Sequence, residues 1–319
     1  MQAITVRDHD AGVGGLSLTD VPYPHAAQND VVVRVHAAGF TPGELDWSGT
    51  WVDRAGRDRT PSVPGHELSG VVVELGHGTT GLSVGQWVFG LCDWTRNGSL
   101  AEYSAVEARN LAPLPADIDH TVAAALPISG LTAWQALINH AHLTTGQTVL
   151  VHGAAGGVGS IAVQLAREVG AVVIGTGRGN DRDTVLGLEA HAFLDLEADK
   201  LEDAGEVDVA LDVIGGEILD RSAALVRAGG TLVTTIREPT VLPKDARAIF
   251  FRRASPRGPQ PSVISLLGPT ASTTKTLLGL GFDGGSFGGV RSDTLRTRRS
   301  LPPSSHNVNR PRHDGERVE

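Results

Sequence analysis

A glycine-rich turn connects an apolar run to a helical pattern in the middle of the chain. Thr148–His152 predicts a buried strand, and Val158–Val169 predicts a helix. Gly156 would let the backbone approach a pyrophosphate, Gly159 would let the helix pack on the strand, and the N–H groups at the helix start can bind phosphate. Ala154 stands where the first glycine of such a turn usually lies. The predicted phosphate-binding residues are Ala155, Gly156, Gly157, Val158 and Gly159. The turn predicts a dinucleotide site; the alternative is a tight turn that binds nothing.

The end of the next predicted strand indicates which dinucleotide is bound. Ala171–Gly175 is followed by Thr176 and Arg178, and no carboxylate stands where NAD enzymes use one to bind the ribose hydroxyls. A guanidinium can bind a 2'-phosphate through paired hydrogen bonds. We therefore predict NADP(H) as the cofactor, with Thr176 and Arg178 beside it. The alternative is that Arg178 is a solvated surface charge.

Composition limits the other kinds of chemistry. The single cysteine, Cys92, can form neither an internal disulfide nor a cluster of thiolate metal ligands. A net charge of -9 argues against general nucleic-acid binding. No apolar run reaches the roughly 18 residues of a membrane helix, and the segment Met1–Val6 reads as a strand, not a secretory signal. We expect a cytoplasmic protein that acts on a small molecule and binds neither nucleic acid nor membrane.

The elements before the glycine turn differ from those after it. Val31–Val35, Ser69–Leu75 and Gln86–Leu91 are short strand patterns between turn signals, which predicts a β-rich, barrel-like domain. Thr121–His140 reads as two helices around a break at Pro127. From the turn onward strands and helices alternate, with further strands at Val207–Val213 and Thr231–Ile236. This alternation predicts an α/β fold with a doubly wound parallel sheet.

The last 68 residues have a different composition. Arg252–Glu319 holds ten Arg and one Lys against five acids, is rich in Pro, Gly and Ser, and shows no sustained period of 2 or 3.6. We predict a β-rich domain over 1–120, a dinucleotide-binding domain over 121–251 and an irregular tail over 252–319. Because the change is abrupt after Phe251, we hypothesise a frameshift there; a specialised disordered tail is the alternative.

Three segments in order resemble one enzyme superfamily. They are Pro64–Glu67, Gly98–Tyr103 and Leu131–Trp134, and the glycine turn follows them. Together they resemble the medium-chain dehydrogenase/reductase superfamily, in its quinone oxidoreductase-like branch, over about residues 1–251. The resemblance implies a GroES-like N-terminal domain, a Rossmann domain and a homodimer.

The resemblance also implies an enzyme that works without zinc. Zinc members bind the catalytic metal through Cys, His and a further Cys or acid, and of these only His66 and Glu67 remain. Gly39–Pro42 stands at the place of the first Cys. His66 is therefore predicted to be a packed or hydrogen-bonded histidine.

Zinc-free members transfer a hydride from NADPH to a quinone or to an activated alkene, so hydrogen-bond donors must stabilise the charge on the acceptor oxygen. The loop Phe40–Trp47 resembles the family's Asn-Pro-x-Asp segment, with Thr41 in place of Asn and one extra residue. Thr41 is the predicted donor, Asp46 is predicted to orient the loop, and Trp47 to line a pocket for a flat substrate. A purely structural turn is the alternative. The resemblance further implies cofactor contacts from Thr132, Asp212, Val213, Ile214 and Thr235.

Two other functions stay open at this point. One is an NADPH-binding protein with little or no turnover, damaged by its tail or acting as a sensor or scaffold. The other is a zinc alcohol dehydrogenase, which stoichiometric, tightly bound zinc would indicate.

Overall fold

The computed structural model describes residues 1–251, so the predictions made for the tail fall outside the described residues. The first part of the chain is rich in β-structure, as predicted. Its strands are β1 (Gln2–Thr5), β2 (Ser17–Asp20), β3 (Asp30–Gly39), β4 (Glu67–Leu75), β5 (Trp87–Leu91), β6 (Tyr103–Glu107) and β7 (Leu111–Pro113). Five of them form an antiparallel sheet in the order β6-β3-β4-β5-β7, and β1 pairs with β2. This sheet confirms the GroES-like N-terminal architecture.

Three short helices precede the second part of the chain: the first lies between β3 and β4, and the other two follow β7 and connect the sheet to the second part. They are α1 (Ser48–Trp51), α2 (His120–Ala124) and α3 (Pro127–Trp134), and a π-helical segment, Gln135–His140, continues α3. The carboxylate of Asp119 caps α2 by accepting a hydrogen bond from Thr121 N at 2.7 Å. Pro127 lies in the first turn of α3, where the absence of its N–H costs no hydrogen bond. The predicted pair of helices around this proline is confirmed.

A six-stranded parallel sheet forms the second part. Its strands are β8 (Thr148–Val151), β9 (Val172–Gly177), β10 (Ala192–Asp195), β11 (Val207–Asp212), β12 (Val226–Thr234) and β13 (Arg247–Phe250), and its helices are α4 (Gly157–Val169), α5 (Arg182–Gly187) and α6 (Gly216–Ser222). The spatial order is β10-β9-β8-β11-β12-β13. This is the doubly wound order of dinucleotide-binding sheets, in which ligands bind where the order reverses, beyond the carboxyl ends of β8 and β11.

The amphipathic helix α4 anchors the glycine turn to this sheet. Ile161 and Leu165 are buried in the main core, and each contributes about 1.5–3 kcal/mol to stability through its burial. Gly170, with φ of +85°, ends the helix in a left-handed cap. The same core includes Phe89 and Leu114 of the β-rich part, so the two parts of the chain pack directly on each other. Among residues 1–251, no helix combines the length and apolar character needed to cross a membrane.

Candidate functional site

The glycine turn has the backbone geometry that close packing requires. Gly156 is the N-cap of α4, and its N–H donates to Gly153 O at 2.9 Å. A Cβ on Gly159 would lie 2.7 Å from the carbonyl carbon of Gly153 and 2.8 Å from Ala154 Cα, closer than real side chains approach. Only glycine therefore fits at this position. The N–H groups of the first turn of α4 lack partners within the helix and, together with the helix dipole, favour an anion at this end.

The loop after β11 lies against this turn. A Cβ on Gly153 would meet Val213 at 3.2 Å and Ile214 at 3.4 Å. The buried carboxylate of Asp212 accepts hydrogen bonds from Gly215 N at 2.9 Å and from Ile214 N at 3.2 Å, and it also binds the hydroxyl of a β12 residue, Thr234. Thr235 N donates to the carbonyl of Asp212 at 3.3 Å. The structure thus brings together the glycine turn and the residues that were predicted at the ends of β11 and β12.

The two residues predicted at the end of β9 lie in different surroundings. Thr176 is fully buried, and its hydroxyl is 2.9 Å from Nδ1 of His152. Arg178 is exposed, and within residues 1–251 its guanidinium makes no hydrogen bond or ion pair. The neighbouring Arg182 differs, because it lies over the ring of Phe193 and near Asp199. Arg178 therefore keeps its full donor capacity for a ligand.

The loop of Thr41 is held by a carboxylate that the sequence analysis did not select. Glu44 is fully buried; its Oε1 accepts from Thr41 N at 3.0 Å and its Oε2 from Gly65 N at 3.1 Å. Asp46 is exposed, and in the described part of the chain nothing hydrogen-bonds to its carboxylate. The prediction that Asp46 orients this loop is therefore corrected to Glu44. The signal was present, since Thr-x-x-Glu is a capping box and indicates a Glu side chain that binds the N–H of the Thr.

Trp47 belongs to an aromatic cluster with His66 and Trp94, and Trp94 was not predicted from the sequence. The ring of Trp47 stacks on buried His66 with centroids 5.7 Å apart, and it meets Trp94 edge to face at 4.9 Å. His66 and Trp94 meet edge to face at 5.3 Å. His66 Nε2 also lies 3.8 Å from Glu44 Oε2. His66 is thus the packed histidine that was predicted, with Trp47 stacked on it and Trp94 edge to face with both rings.

The carboxylate next to His66 links this cluster to the nucleotide-binding part. Oε1 of Glu67 accepts a hydrogen bond from Ile128 N at 2.6 Å, at the start of α3, where the helix dipole favours a negative charge. One turn further on, the buried hydroxyl of Thr132 donates to Ile128 O at 2.6 Å. A Cβ on Gly39 would lie 2.5 Å from Oε2 of Glu67 and 2.9 Å from Ala124 O. In residues 1–251 no group of three or more His, Cys, Asp and Glu is arranged to hold a metal ion.

Comparison with known proteins identifies the family. Residues 27–116 match the alcohol dehydrogenase GroES-like domain, and residues 157–258 match the zinc-binding dehydrogenase family. The quinone oxidoreductase of Rattus norvegicus is 34% identical over 67% of this chain and 67% of that protein. The chloroplastic NADPH-dependent alkenal/one oxidoreductase of Arabidopsis thaliana is 32% identical over 73% of this chain and 62% of that protein.

Longer proteins and solved structures match as well. The spectinabilin polyketide synthase system protein NorB of Streptomyces orinoci is 35% identical over 76% of this chain, which spans only 12% of that protein. The structure of the quinone oxidoreductase from Coxiella burnetii superposes with a TM-score of 0.70 and 28% identity, covering 80% of this chain and 83% of the other.

This chain belongs to the medium-chain dehydrogenase/reductase superfamily, whose members are oxidoreductases that use a nicotinamide cofactor. The second family match ends at residue 258 and so extends beyond Phe251, where the resemblance was expected to stop.

Proposed function

We propose that this protein is an NADPH-dependent oxidoreductase that reduces a quinone or an activated alkene or carbonyl compound without zinc. The observation that carries the proposal is the glycine turn at the start of α4. The backbone of this turn packs so closely on α4 that only glycine fits at position 159, and the turn lies where the strand order of the sheet reverses. The bound dinucleotide would supply the hydride. Quinone and alkenal/one oxidoreductases among its relatives support the substrate class.

The cofactor would be held by groups of three kinds. The N–H groups of the first turn of α4 would bind the pyrophosphate. The guanidinium of Arg178, which has no protein partner among the described residues, would bind the 2'-phosphate bidentately. The hydroxyl of Thr132 donates its one hydrogen bond to Ile128 O, so its oxygen would act toward a ligand only as an acceptor, as from the amide N–H of a nicotinamide.

The substrate would lie between the nicotinamide end of the cofactor and the aromatic cluster. Trp47 and Trp94 would pack against a flat acceptor. The exposed hydroxyl of Thr41 would donate to the acceptor oxygen as negative charge develops there. Glu44 would act through Thr41 by fixing the backbone of its loop. No described residue is placed as a general acid by its contacts, so we assign to solvent the one proton that accompanies the hydride.

The surroundings of His66 support the absence of zinc from the chemistry. Its ring is packed against Trp47 and Trp94, and the adjacent carboxylate of Glu67 binds the start of α3. At Gly39, in the segment that stands in for the first Cys of zinc members, there is no room for a side chain. The donor set of a catalytic zinc site, three protein ligands around one open position, therefore does not fit here.

An NADPH-binding protein with little or no turnover is the second candidate. It is favoured by the abrupt change of composition after Phe251, from which a frameshift was hypothesised. A cytoplasmic location and a homodimer remain predictions.

The two candidates are separated by measuring binding and turnover on the same purified chain. Calorimetry with NADPH tests binding, and loss of NADPH absorbance with phenanthrenequinone and with 2-alkenals tests turnover. We expect the chain to bind and oxidise NADPH in the presence of a chelator. We expect Arg178→Ala to weaken the binding of NADPH but not that of NADH. Binding without oxidation across the panel would favour the second candidate, and activity that needs added zinc would refute the zinc-free proposal.

A further inference from the structure

One buried histidine joins three elements around the cofactor site. His152 follows β8 directly and is fully buried. Its Nδ1 lies 2.9 Å from the hydroxyl of Thr176 on β9, and its Nε2 lies 2.7 Å from the hydroxyl of Ser222 at the end of α6. A single imidazole ring therefore connects the strand that leads into the glycine turn, the strand that leads to Arg178, and α6.

The direction of each hydrogen bond in this connection is determined. The hydroxyl of Ser222 donates a hydrogen bond to Ile218 O at 2.6 Å, so its oxygen accepts one from His152 Nε2–H. Nδ1 is then the acceptor, and the hydroxyl of Thr176 donates to it. Burial lowers the pKa of His152 to about 4, although the nearby carboxylate of Asp212 acts to raise it. The ring is thus neutral at neutral pH, in one tautomer, with both nitrogens hydrogen-bonded.

The chain connects Arg178 to this ring through Thr176. Thr176 lies two residues before Arg178, and its carbonyl accepts from Ala154 N at 2.9 Å, in the glycine turn. Arg178 N is held by the carboxylate of Asp181 at 2.9 Å. Because its guanidinium makes no hydrogen bond or ion pair with the described residues, the backbone sets where the side chain starts.

We propose that His152 is a positioning residue for cofactor selectivity: through Thr176 it fixes the distance between the phosphate-binding turn and Arg178, and so favours NADPH over NADH. The inference rests on the proposed function, in which Arg178 binds the 2'-phosphate. Bidentate binding of a phosphate depends on angle and distance, so a small shift of the end of β9 would weaken the binding of NADPH more than the binding of NADH, which lacks the 2'-phosphate.

Substitution of Thr176 tests this without opening a large cavity. Thr176→Val keeps the shape and removes the donor to Nδ1, whereas Thr176→Ser keeps the donor. We expect the Val variant to raise the Kd of NADPH about fivefold, with less than about a twofold change in the Kd of NADH, because only the charge-assisted phosphate contact is weakened. The Ser variant should restore the ratio of the two constants to that of the unchanged protein.

Ser222→Ala is the second variant, since it removes the acceptor from Nε2 and should change the same ratio. Thr5→Val is the matched control: Thr5 is also buried and hydrogen-bonded, to Thr19, but it lies in β1. It should lower stability and leave the ratio of Kd values unchanged.

The outcomes separate this inference from the function on which it rests. If the unchanged protein binds NADH as well as NADPH, the assignment of Arg178 fails. If it prefers NADPH and Thr176→Val keeps that preference, the positioning role of His152 is refuted while the proposed function stands. Equal losses of both cofactors in a folded variant would also refute it.

Discussion

Replacing Glu44 by Gln tests how the substrate loop is held. The carboxylate is fully buried and accepts one backbone N–H at each oxygen, from Thr41 at 3.0 Å and from Gly65 at 3.1 Å. An amide can accept only one of them and turns an NH2 group toward the other. A buried N–H left without an acceptor costs about 1–3 kcal/mol, so we expect the free energy of unfolding to fall by about that amount.

The same change should impair turnover more than cofactor binding. Thr41 and Trp47 lie on the loop that Glu44 holds, and loss of a correctly placed donor lowers kcat/KM by about 10-fold to 100-fold. The Kd of NADPH should change less than about twofold, because Glu44 lies in the β-rich part of the chain and phosphate binding depends on groups at the start of α4.

Asp46→Asn is the matched control, with the same change of charge in the same loop. Because Asp46 is exposed, we expect a loss of less than about 0.5 kcal/mol and unchanged kinetics. Urea denaturation and steady-state kinetics on both variants decide the matter. The assignment of the loop-holding carboxylate to Glu44 would be refuted if Glu44→Gln changed neither stability nor kinetics. It would also be refuted if Asp46→Asn lost as much stability and activity as Glu44→Gln.

Four further predictions follow from individual contacts. Gly159→Ala should abolish NADPH binding or folding, because its Cβ would collide with Gly153, and calorimetry with circular dichroism distinguishes the two. Trp94→Ala should raise KM for a planar quinone by about tenfold and for a small alkenal by less, since stacking against a large ring is lost. Cys92 should resist alkylation at pH 8 until the protein unfolds, because burial raises the pKa of its thiol to about 12; rapid labelling of native protein would contradict this. Since His152 has a folded pKa of about 4, against about 6.5 when unfolded, the folded state binds fewer protons between these values. Its contribution to stability is complete above about pH 6.5 and is lost as the pH falls toward 4. Urea unfolding should therefore show that the free energy of unfolding falls less between these pH values in a His152→Asn variant than in the unchanged protein.

Local patterns in the sequence were sufficient for much of the fold. Thr148–His152 and Val158–Val169 match β8 and α4 to within one residue, because a buried strand, a glycine turn and an amphipathic helix each leave a short-range signal. The break at Pro127 was predictable for the same reason, since proline ends one helix and starts the next.

Long-range contacts in the site were not predictable in this way. Ser222 is 70 residues from its partner His152, and nothing in the local pattern of either residue indicates the contact. Trp94 follows β5 and reaches Trp47 only through the folding of the β-rich sheet. The error at Asp46 is different, because the Thr-x-x-Glu spacing identifies Glu44 and a one-residue offset in the family pattern hid it.

Calorimetric titration of NADPH into the purified chain, with a chelator present, tests most directly whether the start of α4 binds a nicotinamide dinucleotide without metal. We predict saturable binding that the chelator does not change and that a folded Gly159→Ala variant loses. Folded protein that takes up no NADPH or NADH, or takes it up only after zinc is added, would contradict the assignment.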